Sequence, residues 1–462
     1  MNGGHTLGRW IRDRARTTPQ RIAIDQLGRQ ITYAELDDAS ERFAAALSAR
    51  GLEHGDRVAT LTGNSPEHVA VFFACAKAGL ILVPLSWRLA PAELAYQLDD
   101  SEPAVFLVED EFAELARATG HPSAPLSLPD TPQGQSLRHV VSDDDPLLLV
   151  YTSGTTGRPK GALLTHANCF WTNLSFDLAT GVHGDDVVLQ ILPQFHCGGW
   201  NVHALLAWWK GATVVLERTF DPARCLALIE EKRITTLMGV PANYLFMSQE
   251  PAFATTELSS LRSAVVGGAP MPEALLEVWR RRGVEIVPGY GLTEAAPNVL
   301  YAGKPYPHVD VRLSPEGELQ VRGPNVFAGY WRNAEATAAA FDGEWLRTGD
   351  VAECDDEGFY RIKDRLKDMY ISGGENVYPA EVESVLHEHP AVADVAVVGV
   401  PDARWGEVGV AFVVPAAKVS EEQLRDFVHE RLARFKAPKA VRFVDELPRS
   451  GMGKVLKERL LA

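Results

Sequence analysis

The chain has 462 residues, more than one ordinary domain holds, and this length predicts roughly two to four domains. Its 61 acidic and 45 basic residues give a net charge of −16, which excludes a general binder of nucleic acid or anionic membrane but not a local basic pocket. A hydrophobic content of 46% is normal for a globular protein with a proper core.

Cysteine usage and the N-terminus indicate the compartment. The five cysteines are scattered without a C-x-x-C pair, so we expect neither a disulfide framework nor a zinc site. The start, MNGGHTLGRWIRDRARTTPQ, lacks the apolar core of a signal peptide, and no run of about 18 apolar residues follows. These features predict a soluble protein of the reducing cytoplasm, without a membrane span.

From about residue 55 to 290, short apolar runs alternate with longer helical patterns. Several runs lack polar alternation, which is typical of strands in mostly parallel sheets that helices cover on both faces. The pattern therefore predicts an α/β fold with strands at RVATLT, GLILVPL, AVFLVED, LLLVYT, VVLQILP, ATVVLE, ITTLMGV, LRSAVVGG and VEIVPGY.

Three glycine-containing segments follow predicted strands: YTSGTTGRPKG, VVGGAP and VPGYGLTEA. Ligands usually lie at the carboxyl ends of parallel strands, so we expect a binding site here. The first segment departs from the G-x-x-x-x-G-K-[ST] phosphate loop, because Pro159 precedes Lys160 and Gly161 follows it. It still offers turning glycines, four hydroxyls and a positive charge, which suit a phosphate. The alternative is a Gly/Thr-rich turn between strand and helix.

The pattern of apolar and turn-forming residues changes after about residue 309. VDVRLSPEGELQVRG and GFYRIKDRL alternate strands with turns, which predicts a small antiparallel unit. Beyond it the pattern is compact α+β: Pro379 can open a helix, and DVAVVGV and GVAFVVP predict strands. SEEQLRDFVHERLARF predicts a helix whose Ser420 and Gln423 fit a capping box. We place a domain boundary near Asp364.

Seven motifs in order give the chain a strong resemblance to the adenylate-forming enzymes, the family of acyl- and aryl-CoA synthetases, luciferases and nonribosomal adenylation domains. They are TYAELDDASERFAAAL, YTSGTTGRPKG, GYGLTEA, FAGYWRNAEAT, WLRTGD, DRLKDMYISGGENVYPAEVE and PRSGMGKVLK. The resemblance implies a large N-terminal α/β domain of several subdomains with sandwiched sheets, residues 1–363, and a small mobile C-terminal lid, residues 364–462.

The family reaction has two halves. A carboxylate attacks the α-phosphate of ATP, which expels pyrophosphate and leaves an acyl-adenylate; a thiol then attacks the acyl carbon and expels AMP. Both steps move charge around phosphates, so positioning and electrostatic stabilisation should dominate. The resemblance implies ATP, Mg²⁺ and coenzyme A as cofactors, and it implies that the segment from Thr152 to Lys160 grips the β,γ-phosphates.

The resemblance implies further nucleotide contacts. Tyr290 stacks on adenine, Thr293 offers a hydroxyl to the α-phosphate, and Glu294 holds Mg²⁺, a hard cation. The residues alone leave open a core tyrosine and a helix-start glutamate. Asp350 accepts bonds from the ribose hydroxyls, although an aspartate after glycine is otherwise usually a turn residue. The implied nucleotide-binding residues are Thr152, Ser153, Gly154, Thr155, Thr156, Gly157, Lys160, Gly267, Gly268, Ala269, Pro270, Gly289, Tyr290, Gly291, Asp350 and Arg365.

The lid supplies the remaining implied roles. Lys454 matches the lysine that swings over the site and contacts the carboxylate and α-phosphate, although a terminal lysine is otherwise usually just solvated. Asp364 matches the hinge at which the lid reorients. Gly374 matches the residue that lets the pantetheine thiol approach closely.

The acyl pocket is implied by QFHCGGW. His196 matches an aromatic residue that gates the thiol tunnel, although a lone histidine is more often simply packed. Gly198 and Val202 match pocket-lining positions, and Gly198 favours a roomy apolar cavity. No lysine or arginine marks a second carboxylate, so a monocarboxylic fatty or aryl acid is favoured. Residues 298–308 lack the Gly-Ser-x-Gly-x-Pro signature usual in relatives, which predicts an altered pocket wall and unusual substrate choice.

The leading hypothesis is an acid–CoA ligase that releases AMP and pyrophosphate. One alternative is an adenylating enzyme that loads a carrier-protein thiol or another nucleophile. A third is a catalytically silent nucleotide-binding scaffold, which would have no need of Glu294, Asp350 and Lys454 together.

Overall fold

The chain forms two compact units. The structure, a computed structural model, describes residues 4–129, 140–152, 159–365, 368–372, 375–402, 405–432, 434–449 and 455–461. The first unit comprises residues 1–271, 276–310 and 321–346, and the second comprises 272–275, 311–320 and 347–462. Residues 347–363 therefore cluster with the C-terminal segment. The domain boundary near Asp364 and the hinge at that residue stay predictions.

Two sheets form the frame of the first unit. Within the described residues one has nine strands, in the order β15-β14-β13-β12-β11-β9-β10-β1-β2, and the other has seven, β18-β8-β7-β4-β3-β5-β6. Their bounds are β1 Ile22–Gln26, β2 Arg29–Thr32, β3 Arg57–Leu61, β4 Ile81–Leu85, β5 Val105–Val108, β6 Ala124–Pro125, β7 Pro146–Thr152, β8 Lys160–Thr165, β9 Val187–Gln190, β10 Thr213–Leu216, β11 Thr236–Gly239, β12 Ser263–Val266, β13 Ile286–Gly291, β14 Asn298–Tyr301, β15 Lys304–Pro305 and β18 Gly329–Tyr330.

The central pairings of both sheets are parallel, as the apolar runs predicted. The run β13–β12–β11–β9–β10–β1 is parallel throughout, as are the pairings of β4 with β3 and of β3 with β5. All nine predicted strands are present as β3, β4, β5, β7, β9, β10, β11, β12 and β13. The α/β prediction is confirmed.

Among the helices of the described residues, α3 is buried along almost its whole length. Eleven of its residues are buried, from Pro66 to Ala78. Phe72 stacks on Trp200 at 4.6 Å between ring centroids, and Phe73 meets Trp208 edge-on at 5.8 Å. A helix that is apolar all round belongs in an interior. The helices are α1 Gly8–Thr17, α2 Tyr33–Ala49, α3 Pro66–Ala78, α4 Pro91–Ser101, α5 Ala113–Ala118, α6 His166–Thr180, α7 Gly198–Asn201, α8 Ala204–Lys210, α9 Pro222–Glu231, α10 Pro241–Gln249, α11 Glu273–Arg280, α12 Ala334–Ala339, α13 Pro379–His387 and α14 Glu421–His429.

Two further sheets carry the strands that were predicted to be antiparallel and the α+β pattern; most of their residues belong to the second unit, whereas β19 and the terminal residues of β16, β17 and β20 belong to the first. One sheet has the order β16-β17-β20-β19 with β21 on β20, and another has β23-β22-β25-β24 with β26 on β25. The strands are β16 Asp310–Leu313, β17 Glu318–Arg322, β19 Phe341–Asp342, β20 Trp345–Cys354, β21 Tyr360–Arg365, β22 Tyr370–Ser372, β23 Glu375–Val377, β24 Val392–Asp402, β25 Gly406–Pro415 and β26 Ala440–Phe443.

The two predicted C-terminal helices are both present. Pro379 is the first residue of α13, and the capping box of Ser420 and Gln423 opens α14. However, α14 ends at His429, whereas the apolar pattern predicted a helix to Phe435; a short 3₁₀ turn, Arg434–Lys436, follows instead. None of the described helices combines the length and apolar character that a membrane crossing requires.

Residues 298–308 form a tight hairpin at the edge of the large sheet. Strand β14 pairs antiparallel with β13 on one side and with β15 on the other. Ala302 and Gly303 connect β14 to β15, both with positive φ, at 51° and 80°. Two such residues are what a two-residue hairpin turn requires. The short segment therefore extends the sheet beside the strand that carries Gly289, Tyr290 and Gly291.

Candidate active site

The glycine- and threonine-rich segment joins two antiparallel strands. Thr152 ends β7 and Lys160 begins β8, and the two residues are direct partners in the ladder. The connection is therefore strand to strand, not strand to helix, because the apolar GALLT run continues the sheet. Five predicted phosphate-binding residues lie outside the described residues: Ser153, Gly154, Thr155, Thr156 and Gly157.

Four side chains of the first unit meet beside the ends of this loop. Glu294 lies on the 3₁₀ turn Thr293–Ala295, and its Oε1 atom is 3.4 Å from Thr152 Oγ1. The hydroxyl of Tyr330 donates to the same oxygen at 2.8 Å. The ammonium of Lys160 lies 5.3 Å from the centroid of the Tyr330 ring. Two predicted loop residues and the predicted metal ligand are thus in one place.

The Tyr330 hydroxyl is a reliable donor in this cluster. Burial, reinforced by the neighbouring Glu294 carboxylate, raises the pKa of Tyr330 well above its ordinary value. The hydroxyl therefore keeps its proton over the physiological range. Sequence reasoning missed a role for Tyr330, because it lies 36 residues from Glu294 and its motif, FAGYW, gave no local sign of a partner.

The two predicted adenine segments are neighbours in the large sheet. Strands β12 and β13 run parallel with Val266 opposite Pro288, so Gly267 to Pro270 leave the sheet beside Gly289. A Cβ atom added to Gly267 would lie 3.3 Å from the carbonyl oxygen of Gly289. The half-buried Tyr290 stands next along β13. Glycine allows this close approach of two backbones.

The predicted acyl-pocket residues lie within α7 or within two residues of its ends. His196 packs against Phe195 with ring centroids 4.5 Å apart, and Val202 is buried. A Cβ atom on Gly198 would meet only Leu192 and Val202, at 3.8 and 3.9 Å. These are ordinary contacts, so the half-buried Gly198 leaves open space beside it.

A buried polar network lies behind these residues. The Asn201 amide nitrogen lies 3.4 Å from Cys169 Sγ and 3.5 Å from Cys197 Sγ, and its oxygen accepts from Asn173 at 3.0 Å. The Asn298 amide donates to the Asn201 carbonyl at 3.5 Å, which joins the network to the shortened hairpin. Burial raises the pKa of both thiols, so neither is a ready nucleophile.

In the second unit, two predicted nucleotide ligands lie opposite each other. Asp350 on β20 pairs in register with Arg365 on β21, and the Arg365 side chain lies outside the described part of the chain. The predicted hinge residue, Asp364, is buried, and its carboxylate accepts the N–H of Ala380 at 2.7 Å at the start of α13. Gly374 and Lys454 lie outside the described residues.

Both halves of the chain match a known family. The family described as AMP-binding enzyme matches residues 11–331, and that described as AMP-binding enzyme C-terminal domain matches residues 381–454. The chain belongs to the AMP-binding enzymes. The resemblance found in its motifs is therefore confirmed.

Three relatives narrow the activity of this AMP-binding enzyme. A feruloyl-CoA synthase of Amycolatopsis is 42% identical, and an indoleacetate–CoA ligase of Aromatoleum aromaticum is 41% identical, each over 98% of this chain and 97% of the relative. The Bacillus subtilis o-succinylbenzoate CoA synthetase in complex with its acyl-adenylate intermediate has a TM-score of 0.90 and 34% identity, with 98% of each chain covered. The same enzyme is also known in complex with ATP and magnesium.

The chain is an ATP-dependent acid–CoA ligase that works through an acyl-adenylate, with ATP, Mg²⁺ and coenzyme A as its cofactors. Its partners include a carboxylic acid and CoA. The alternative of a catalytically silent nucleotide-binding scaffold is thereby set aside.

The side chains around Glu294 suit magnesium. A hard cation prefers oxygen ligands and is commonly held by one or two carboxylates together with substrate phosphates. Among the described residues of this AMP-binding enzyme, no group of three or more His, Cys, Asp or Glu side chains could form a cage of its own. Glu294 offers one carboxylate beside the ends of the phosphate loop, which fits a cation brought in with ATP.

Proposed function

We propose that this ligase activates an aromatic monocarboxylic acid and that the cluster around Glu294 is its phosphate and magnesium site. The observation that carries the site assignment is the meeting of Thr152, Glu294 and Lys160 in the first unit. A carboxylate for the cation and an ammonium for phosphate oxygens are the charges that adenylation needs to stabilise.

The remaining nucleotide contacts are proposed from the motifs that the chain shares with its family. Tyr290 stacks on adenine between Gly289 and Gly291 on β13, with Gly267, Gly268, Ala269 and Pro270 lining the neighbouring turn. Thr293, one residue before Glu294, donates to the α-phosphate. Asp350 accepts from the ribose hydroxyls, and Arg365, its partner in the ladder, supports it. The phosphate grip extends through Ser153, Gly154, Thr155, Thr156 and Gly157.

The other residues are assigned to the lid, to the path of the thiol and to the acyl pocket. Residues 364–462 act as the lid on the domain of residues 1–363 and turn at Asp364. Lys454 neutralises charge at the α-phosphate during adenylation, and Gly374 lets the thiol approach during transfer. His196 gates the path of the thiol, and Gly198 and Val202 line the acyl pocket.

The names of two relatives favour an aryl acid over a straight-chain fatty acid, because they refer to ferulate and indoleacetate, both aromatic acids. The space beside Gly198 is bounded by Leu192 and Val202, an apolar wall that suits the uncharged part of such an acid. The experiment below also decides whether CoA or a carrier-protein thiol accepts the acyl group.

A panel of acids tests the proposal. ATP–pyrophosphate exchange is measured with arylpropenoic, arylacetic, benzoic, dicarboxylic and straight-chain fatty acids, and thioester formation is then followed with CoA or with a phosphopantetheinylated carrier protein. We expect the aryl monocarboxylic acids to exceed the others at least roughly tenfold in kcat/KM, which corresponds to about 1.4 kcal/mol of differential binding. A preference for long straight chains would overturn the aryl assignment and leave the ligase activity standing.

A further inference from the structure

Hydrogen bonds fix the backbone around Tyr330. Strand β18 pairs with β8, with Tyr330 opposite Ala162. The Tyr330 N–H donates to Thr337 Oγ1 at 2.9 Å, and the next N–H donates to the carbonyl of Gly161 at 2.8 Å. These bonds fix the backbone on both sides of Tyr330, directly beside the first residues of β8.

The hydroxyl of Tyr330 and that of Thr152 converge on one oxygen of Glu294. Tyr330 reaches Oε1 at 2.8 Å and Thr152 reaches the same atom at 3.4 Å. Neither hydroxyl uses Oε2. A hydrogen bond to a carboxylate is stronger than one between neutral groups and fixes the orientation of the carboxyl plane. The carboxylate is thus oriented through one oxygen, and neither of these two hydroxyls engages the other.

The ring of the same tyrosine contacts the cation of the site. Lys160 Nζ lies 5.3 Å from the ring centroid, within the range in which an ammonium is attracted to an aromatic face. Tyr330 therefore touches the carboxylate with its hydroxyl and the ammonium with its ring. It stands between two opposite charges that are both needed at the phosphates.

We propose that Tyr330 is a positioning residue for adenylation: its hydroxyl orients the Glu294 carboxylate that would hold the magnesium of MgATP, and its ring holds the Lys160 ammonium at the start of β8. This proposal rests on the proposed role of Glu294. It assigns the two functions to different parts of one side chain, so two substitutions separate them.

The test measures binding, without turnover. ATP is titrated calorimetrically into the full chain over a series of Mg²⁺ concentrations in the absence of acid, and AMP is titrated without metal. We expect Tyr330→Phe to raise the Mg²⁺ concentration for half-maximal ATP binding roughly tenfold, because a bond to a charged group is lost. We expect AMP affinity to stay within about twofold. Tyr330→Leu should add a further loss of roughly twofold to fivefold in ATP affinity at saturating Mg²⁺, because the ring contact with Lys160 is also lost.

Two reference variants make every outcome decisive. Tyr33→Phe removes a buried hydroxyl that donates to the carbonyl of Ala212 at 2.6 Å, so it reports the effect on stability of such a loss away from the site. Glu294→Gln reports the metal ligand itself. If Glu294→Gln shifts the Mg²⁺ dependence and Tyr330→Phe does not, the proposal is overturned and the site assignment stands. If Glu294→Gln shifts nothing, both are overturned. If Tyr330→Phe only lowers the melting temperature and weakens MgATP and AMP equally, its role is structural and the proposal is overturned.

Discussion

Three histidines of the first unit are buried as neutral rings. Burial lowers the pKa of His68 and of His203 to about 3 and that of His166 to about 4. Below about pH 6.5 the unfolded chain binds protons at these residues that the folded chain does not bind. The stability that the neutral rings contribute is therefore fully present above that pH. It is lost as the pH falls to about 4 for His166 and to about 3 for His68 and His203, by about 1.4 kcal/mol per histidine between pH 7.5 and 5.5.

His203 allows this pH dependence to be tested at one residue. Within the described part of the chain neither ring nitrogen has a hydrogen-bond partner, and Phe176 packs edge-on against the ring at 4.9 Å. We expect His203→Phe to reduce the difference in unfolding free energy between pH 7.5 and 5.5 by about 1.4 kcal/mol. Urea denaturation at both pH values measures it, with the parent chain as control. An unchanged difference would contradict a neutral, buried His203.

At the scale of elements, the hairpin of β13 and β14 brings two backbones unusually close. The sequence following β13 turns back so that a Cβ atom on Gly291 would lie 1.5 Å from the carbonyl oxygen of Pro297. Gly289, two residues earlier on the same strand, has no such restriction, because its nearest neighbour would be Val265 Cγ1 at 3.4 Å. The two glycines of the GYG motif thus meet different structural requirements.

These glycines form a matched pair of variants. Gly291→Ala should destabilise the first unit by about 1–3 kcal/mol, because only movement of the backbone can make room for the methyl group. Gly289→Ala should leave the melting temperature almost unchanged. Differential scanning calorimetry of both variants without ligand separates folding from binding, and equal shifts would contradict the geometry of the hairpin.

At the scale of the whole molecule, the proposed site residues of the ligase are distributed over both units. The first holds Thr152, Lys160, Glu294 and Tyr330 together, and the second carries the paired Asp350 and Arg365. The segment containing Lys454 is bounded by a β-bridge between Arg449 and Val455, and Lys457 beyond it forms an ion pair with Glu383 at 2.8 Å. The bridge thus joins the two residues that flank the segment, and the ion pair links the chain beyond it to α13.

The proposed duty of Lys454 predicts a split between the half-reactions. Lys454→Ala should lower ATP–pyrophosphate exchange by roughly a hundredfold or more, because a charge that stabilises the transition state is lost. Thioester formation from a supplied acyl-adenylate and CoA should continue at nearly the parent rate. Lys418→Ala, at an exposed lysine of the same unit, serves as control. Equal loss of both half-reactions would show that Lys454 does not act in adenylation alone.

The sequence predicted the parts of the fold that depend on local pattern. The nine apolar runs became strands, Pro379 opened α13, and Ser420 capped α14. The end of α14 was wrong, because the apolar period continued past the point at which the chain leaves the helix. The sequence showed residues 298–308 only as a shortened segment and did not predict their hairpin, since its turn depends on positive φ values at Ala302 and Gly303.

By itself, the sequence determined the family, the α/β class and the reaction, because ordered motifs and hydrophobic periods are written along the chain; the ligands that it named stay predictions. Only the tertiary structure decided that Tyr330 shares an oxygen of Glu294 with Thr152 and faces Lys160. These contacts join residues far apart in sequence. They exist because β18 adds to the edge of one sheet beside β8, a pairing that depends on the packing of the whole unit and leaves no local mark in the sequence.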